Sequence, residues 1–216
     1  MRADARERRE RIINTACNLL RGRDIEGLTL EEVARAAGVG IATLYRNFPN
    51  RQALWHACIE HLMHEVNELQ RVFLEDFASE PVDPLPLWHS FVRDLARLGL
   101  GALAQVMTPD NFQQLPPGMR ELQAANDVQG RQVLTLVQEA GLVHSHITPH
   151  TLLKGLIILS RTAEPTSPGA IPELNRQLLR VYLAGLRQGP EELVLDPLPE
   201  QMDGEHLGVT FPTQES

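Results

Sequence analysis

Residues 29–51 read TLEEVARAAGVGIATLYRNFPNR and decide the fold of the first part of the chain. Thr29 and Glu32 have the spacing of a capping box, in which the hydroxyl accepts a backbone N–H and the carboxylate bonds back to the cap. The helix that begins there reaches Gly38, a residue that adopts a left-handed conformation without a Cβ penalty. The sequence therefore predicts a short helix that is closed at both ends.

A second short helix is predicted from about Gly40 to Asn47. It places Leu44 and Phe48 on one side at i, i+4 spacing, with small and polar residues on the other side. Two short helices joined by a turn that contains glycine are typical of a helix-turn-helix, here over about residues 29–48. The second helix of such a motif has the shape that enters the DNA major groove.

A longer segment carries a resemblance to a known family. The run AGVGIATLYRNFPNRQAL (37–54), read after LTLEEVARA (28–36), resembles the DNA-binding signature of the TetR family of transcriptional regulators. It is similar to a branch whose segment reads G-V-G-x-x-T-L-Y-R-x-F-P. Gly40 stands where many members have a serine cap, and Ala42 where many have glycine. The resemblance covers roughly residues 10 to 60; beyond them it is limited to helices, length and the ending YLAGLR (182–187).

The helical pattern, the composition and the resemblance together predict an all-α protein of about nine helices in three parts. We expect a helix-turn-helix DNA-binding domain over 1–52, a helical effector-binding and dimerisation domain over 53–188, and an acidic tail over 189–216. The implied function is that of a transcriptional repressor that binds a palindromic operator on double-stranded DNA as a homodimer and is released by a small apolar effector. One alternative is a helical dimeric interaction module that has lost specific DNA binding. A helical enzyme is the third, although no residue set suggests turnover.

The candidate DNA contacts lie on and beside the second helix of the motif. Thr43 can hydrogen-bond a base or pack its methyl against thymine, and Arg46 can contact phosphate or guanine. By resemblance, Tyr45 and Arg51 match phosphate-contacting positions; the alternative for Tyr45 is packing within the small domain. The full set is Thr29, Gly40, Ile41, Ala42, Thr43, Tyr45, Arg46, Asn47 and Arg51.

Charge separates the two parts of the chain. The net charge is −8, yet residues 1–51 hold 10 arginines against 7 acidic residues, a net charge of +3. Residues 52–216 hold 10 basic against 21 acidic residues, a net charge of −11. The basic end coincides with the helix-turn-helix, and local charge is what attracts phosphate. A first helix over 2–20 places Arg2, Arg6 and Arg9 on one outer row, a solvated face or a phosphate contact.

Apolar periodicity predicts the remaining helices and no strand. A long helix follows the cap Asn50, and a second runs from Trp88 to Val106, including the GLGAL run at 99–103. Three more are expected over 119–140, 151–162 and 171–188.

The second domain offers two apolar sets. Aromatic residues and methionines that bracket the irregular stretch 108–118 fit either a packed core or an effector pocket. They are Trp55, Ile59, Leu62, Trp88, Phe91, Leu95, Met107, Phe112, Met119 and Leu122, with His61, Gln113 or Asn126 as polar anchors. The last two helices are apolar on two sides, which predicts a dimer interface beside the core. Its candidates are Leu152, Leu156, Leu159, Leu174, Leu178, Val181 and Gly185.

Catalysis, cofactors and membranes find little support in the sequence. No nucleophile elbow, phosphate loop or dinucleotide fingerprint is present, and we expect no catalytic site, cofactor or metal. His61 and His64 with Glu65 are a weak metal alternative, and the His144, His146 and His150 group a weaker one. Cys17 and Cys58 are expected to be small buried hydrophobes; a redox switch is the alternative, for which nothing in the sequence argues. No segment has the length and apolarity of a membrane span or a secretory signal, so we expect a cytoplasmic location.

Overall fold

The computed structural model describes residues 2–20, 27–79, 83–100, 116–160 and 171–188. These ranges contain eight helices and no strand, so the expectation of an all-α fold is confirmed. The helices are α1 (Arg2–Leu20), α2 (Leu30–Ala36), α3 (Ile41–Asn47), α4 (Arg51–Ala78), α5 (Leu85–Arg97), α6 (Pro117–Glu139), α7 (Pro149–Ser160) and α8 (Ile171–Gln188).

Local capping signals set the ends of the longer helices. The Oδ1 of Asn50 accepts a hydrogen bond from Ala53 N at 2.8 Å and starts α4. Gly141 has φ of +68° and closes α6. The expected helix to Val106 is wrong at Gly99, because α5 ends at Arg97 and Gly99 has φ of +71°, a left-handed value that continues no α-helix.

The first hydrophobic core joins the three N-terminal helices to the start of α4. Leu44 and Phe48, the predicted inward pair of α3, are fully buried in it. The core extends along α4 as far as Met63 and also receives Met119 from α6. The basic N-terminal part is therefore built onto the long fourth helix, beyond residue 52.

The second core lies further along α4 and is formed with α5, α6 and α7. Four aromatic rings pack together there; Phe73 lies 4.8 Å from Phe91 and 6.3 Å from Trp88 between ring centroids, and Phe77 lies 5.6 Å from Phe73. Leu98 and Leu100 pack against both cores. The end of α5 thus connects the two parts of the protein.

Polar side chains mark the contact between α4 and α6. Asn126 Nδ2 donates to the carbonyl of Met63 at 2.9 Å, and Asn67 Nδ2 donates to Gln129 Oε1 at 3.1 Å. The partners advance in the same direction on both helices, so α4 and α6 run parallel. Asn126 is buried, and its hydrogen bond fixes the register of the pair.

Candidate DNA interface

The first helix of the motif starts with the capping box that the sequence predicts. Glu32 N donates to Thr29 Oγ1 at 3.2 Å, and Thr29 N donates to Glu32 Oε2 at 3.1 Å. The Thr29 hydroxyl is thereby engaged in the cap of α2, which contributes about 1 kcal/mol to a helix. The position of Thr29 in the DNA-contact set stays a prediction.

The turn between α2 and α3 is held by backbone hydrogen bonds. Gly38 has φ of +65°, as expected for the residue after the helix. Val39 N donates to the carbonyl of Ala34 at 2.9 Å, and the Val39 side chain packs against the first core. This turn fixes the angle at which α3 leaves α2.

Helix α3 has one buried side and one exposed side. Leu44 fills the core, whereas Ile41, Tyr45 and Arg46 are exposed and Thr43 is half-buried. Tyr45 has 44% of its surface exposed, so it does not pack in the small domain as the alternative supposed. The outward side of α3 therefore presents an aliphatic, a phenol and a guanidinium group.

Two of the predicted contact residues bond to the backbone of their own helix. Asn47 Nδ2 donates to the carbonyl of Thr43 at 2.8 Å, and Arg46 Nε donates to the carbonyl of Ala42 at 3.4 Å. The longer of these bonds is the weaker. The Arg46 guanidinium is thus easier to redirect than the half-buried Asn47 amide.

Two arginine side chains lie against aromatic rings beside α3. Arg51, the first residue of α4, places its guanidinium carbon 5.5 Å from the ring centroid of Trp55. Arg9 of α1 lies 5.0 Å from the ring of Phe48, the residue that ends α3. The sequence pattern placed Arg9 in one outer row with Arg2 and Arg6. In the structure, Arg6 forms an ion pair with Glu10 at 2.9 Å. No periodicity in the sequence signals the contact between Arg9 and Phe48.

The candidate pocket residues fall into two groups. Trp55, Ile59, Leu62 and Met119 are buried in the first core, with Leu122 packed against it. Trp88, Phe91 and Leu95 are buried in the second core. Met107 and Phe112, like the suggested anchor Gln113, lie outside the described residues. The eight candidates that the structure describes are therefore divided between the two cores.

The dimer candidates also divide. Leu152 and Leu156 are buried in the second core of the protomer itself, and Leu159 and Leu178 are half-buried. Val181 is 71% exposed and Gly185 is exposed on α8. The side chain of Leu174 lies outside the described residues. The α8 stripe thus faces outward at Val181 and Gly185. The α7 stripe faces the protomer core at Leu152 and Leu156, and it leaves Leu153 and Ile158 exposed.

A cleft of about 370 Å³ lies between α1, α4 and the end of α5. Its lining is mostly polar: Asn14, Cys17, Asn18, His61, Leu62, Glu65 and Leu98. His61 is half-buried and His64 is exposed. In the part of the chain that the structure describes, no group of three His, Cys, Asp or Glu side chains is placed to hold a metal ion.

Two family models match the chain in sequence. Residues 12–58 match the bacterial regulatory proteins of the tetR family, and residues 83–188 match the C-terminal domain of SbtR-like transcriptional regulators. The chain belongs to the TetR family. The first match covers the helix-turn-helix and the start of α4, and the second covers α5 to α8.

Solved structures share the fold of this TetR-family chain. A TetR transcriptional regulator from Streptomyces coelicolor superposes with a TM-score of 0.55 at 22% identity, over 83% of this chain and 98% of its own. A TetR regulatory protein from Mycobacterium vanbaalenii gives a TM-score of 0.53 at 26% identity, over 86% of this chain and 98% of its own.

Similarity to curated proteins is confined to a shorter region. An HTH-type transcriptional regulator from Staphylococcus aureus is 35% identical over 60 residues, 28% of this TetR-family chain. The match spans about a third, 32%, of that relative. Among the described residues, no helix has the length and apolarity needed to cross a membrane.

Proposed function

We propose that this protein is a sequence-specific, DNA-binding transcriptional regulator. The observation that carries the proposal is the helix-turn-helix, in which α3 turns Ile41, Tyr45 and Arg46 outward on the basic part of the chain. Arg51 and Arg9 flank this helix. Guanidinium groups at the edges of a recognition helix are suited to phosphate, and the helix surface between them is suited to base edges.

A salt series with one matched pair of variants tests this role. Arg51→Ala should weaken DNA retention for all sequences and reduce the slope of log affinity against log salt by about one, because one phosphate contact is lost. Arg131→Ala removes an exposed arginine on α6 and should leave both unchanged. Equal losses in the two variants would refute the assignment of Arg51 to a DNA contact.

The protein acts, in this proposal, as a homodimer through the exposed side of α8. Leu178, Val181 and Gly185 share a helix face at i, i+3, i+7 spacing, and Ile158 of α7 is 63% exposed. Leu152 and Leu156 are left out because they are used inside the protomer. Two copies of one short recognition helix gain affinity by joining on a palindrome.

A pair of exposed valines tests the interface without disturbing either core. Val181→Glu should lower the sedimentation mass from dimer to monomer at micromolar protein, because a charge is buried without a partner. Val128→Glu places the same charge at an exposed position of α6, and this variant should stay dimeric. A dimeric Val181→Glu variant would place the interface elsewhere.

We further propose that a small, mainly apolar effector enters the second domain and releases DNA, which makes the protein a repressor. The support is the aromatic cluster of Trp88, Phe91 and Phe73 in the second core, together with the polar contact between α4 and α6. At this contact, Asn126 Oδ1 and Gln70 Oε1 are buried without a hydrogen-bond partner among the described residues. Unsatisfied buried acceptors suit an effector that carries N–H or O–H donors.

Compounds that release DNA should quench tryptophan fluorescence at the same concentrations. Gln70→Leu should reduce the response to an effector with a donor group more than it reduces DNA affinity, since Gln70 lies on α4 outside the first core. A coupling of roughly 1–3 kcal/mol is enough for release. Equal loss of DNA binding and response would show that Gln70 is only structural.

A further inference from the structure

Two cysteines lie in contact between α1 and α4. Cys17 and Cys58 are 5% and 0% exposed, and both belong to the first core. Neither is part of a disulfide, and their thiols form a hydrogen bond with each other. The sequence treats them as unrelated small hydrophobes, whereas the fold makes them a dithiol across two helices.

Only one of the two cysteines lines the cleft that the structure shows among the described residues. Cys17 lines the cleft between α1, α4 and the end of α5, together with Asn14, Asn18 and His61. Cys58 is fully buried behind it. A small polar molecule in this cleft would therefore lie beside Cys17 rather than Cys58, with hydrogen-bonding groups around it.

The hydrogen bond makes the two thiols unequal. The bond to Cys17 and burial raise the pKa of the Cys58 thiol well above its usual range, although the Arg9 charge acts in the opposite direction. Cys58 therefore stays protonated, and its S–H group donates a hydrogen bond to the Cys17 sulfur. Cys17 is assigned as the attacking residue of the pair because it lines the cleft, whereas Cys58 is fully buried.

We propose that Cys17 and Cys58 form an oxidation site for small hydroperoxides. The Cys17 thiolate attacks the peroxide, an S–O bond forms as the O–O bond breaks, and the alkoxide or hydroxide leaves with a proton. Cys58 then attacks the Cys17 sulfur, an S–S bond forms as the S–O bond breaks, and water leaves with the Cys58 proton. The dithiol loses two electrons and the peroxide gains two.

The cleft has room and polar groups for a small hydroperoxide. A space of about 370 Å³ with amide, imidazole and carboxylate groups admits a small hydroperoxide and can hydrogen-bond its leaving oxygen. The product disulfide would tie α1 to α4 inside the first core.

Thiol counting tests the site without reference to DNA. The reduced full chain is treated with hydrogen peroxide, quenched, denatured, alkylated with N-ethylmaleimide and weighed by mass spectrometry. We expect the loss of both alkylatable thiols and their recovery with dithiothreitol. Two thiols that still alkylate after treatment, while those of the unfolded chain are oxidised, would overturn the proposal.

Two variants test the order of the steps. Cys58→Ala should accumulate a sulfenic acid at Cys17 that dimedone traps. Cys17→Ala should leave Cys58 oxidised at least about tenfold more slowly, because Cys58 is buried and protonated. Circular dichroism confirms that each variant is folded, and the wild-type disulfide result stands without them. Equal oxidation rates of the single cysteines would contradict the roles given to them.

Discussion

Replacing Gly155 by alanine probes the contact that holds α7 against α8. A Cβ at this position would lie 2.5 Å from Cε2 and Cζ of Tyr182, far inside ordinary contact distance. The Tyr182 hydroxyl donates to the carbonyl of Leu152 at 2.8 Å and is half-buried beside it. The ring cannot accept the methyl group without moving and straining this bond.

The magnitude follows from three contributions. Alanine in place of glycine stabilises a helix interior by about 0.5–1 kcal/mol. Forcing extra volume into a packed contact costs about 1–3 kcal/mol, and a weakened hydrogen bond costs about 0.5–1.5 kcal/mol. We therefore expect Gly155→Ala to lower the free energy of unfolding by roughly 0.5–4 kcal/mol.

Urea unfolding followed by tryptophan fluorescence measures this change. Several protein concentrations separate protomer stability from dimer dissociation. Gly118→Ala is the matched control, because its Cβ meets no described atom within 4 Å, and it should be neutral or slightly stabilising. In a Tyr182→Ala background, Gly155→Ala should lose its penalty. A Gly155→Ala variant as stable as the control would refute the packing argument.

Three further changes have defined outcomes. Thr29→Ala should lower the free energy of unfolding by about 1 kcal/mol in thermal denaturation. Thr135→Ala, at an exposed position of α6, should be near neutral. Equal effects of the two changes would contradict the cap. Gly38→Ala should cost about 1–2 kcal/mol because φ is positive, although no described atom lies within 4 Å; a neutral result would show that the turn relaxes. Burial raises the pKa of Tyr182 from 10.0 to about 12, so stability should fall as pH rises through this interval. Tyrosinate absorbance in a Tyr45→Phe background measures this pKa, and titration at the ordinary value would contradict the burial.

Local interactions explain why the DNA-binding motif could be predicted. The bonds between Thr29 and Glu32, the left-handed Gly38 and the cap at Asn50 each involve residues within four positions of one another. Such interactions depend on the neighbouring sequence rather than on the rest of the fold. The bounds of α1 and α8 followed from periodicity for the same reason.

Long-range packing explains what the sequence could not supply. Trp55 and Phe73 belong to one apolar stripe of α4, yet about 27 Å of helix separates them at 1.5 Å per residue. The candidate pocket set joined Trp55, Ile59 and Leu62 near the start of this stripe to Trp88 and Phe91, which pack against Phe73 at its far end. In α7, apolar residues occur on several sides, and periodicity does not tell which side meets the core. The side of α7 that faces α8 is identified by the close approach of Tyr182 to Gly155.

Contacts between residues that are far apart in the chain could likewise not be predicted from the sequence. Arg9 lies over Phe48, and Cys17 meets Cys58, only because α1 packs across the start of α4. The buried acceptors of Gln70 and Asn126 emerge from the parallel pairing of α4 with α6. Each of these pairs depends on how two helices pack against each other.

Selection of bound duplexes from random DNA tests the central claim most directly. Wild-type protein should enrich a palindrome whose half-sites are centred about 34–36 Å apart, one turn of the double helix. Thr43→Ala should relax preference at one or two base positions, at a cost of ~1–3 kcal/mol. The absence of any enriched sequence, with retention no stronger than that of an acidic control protein, would contradict the account.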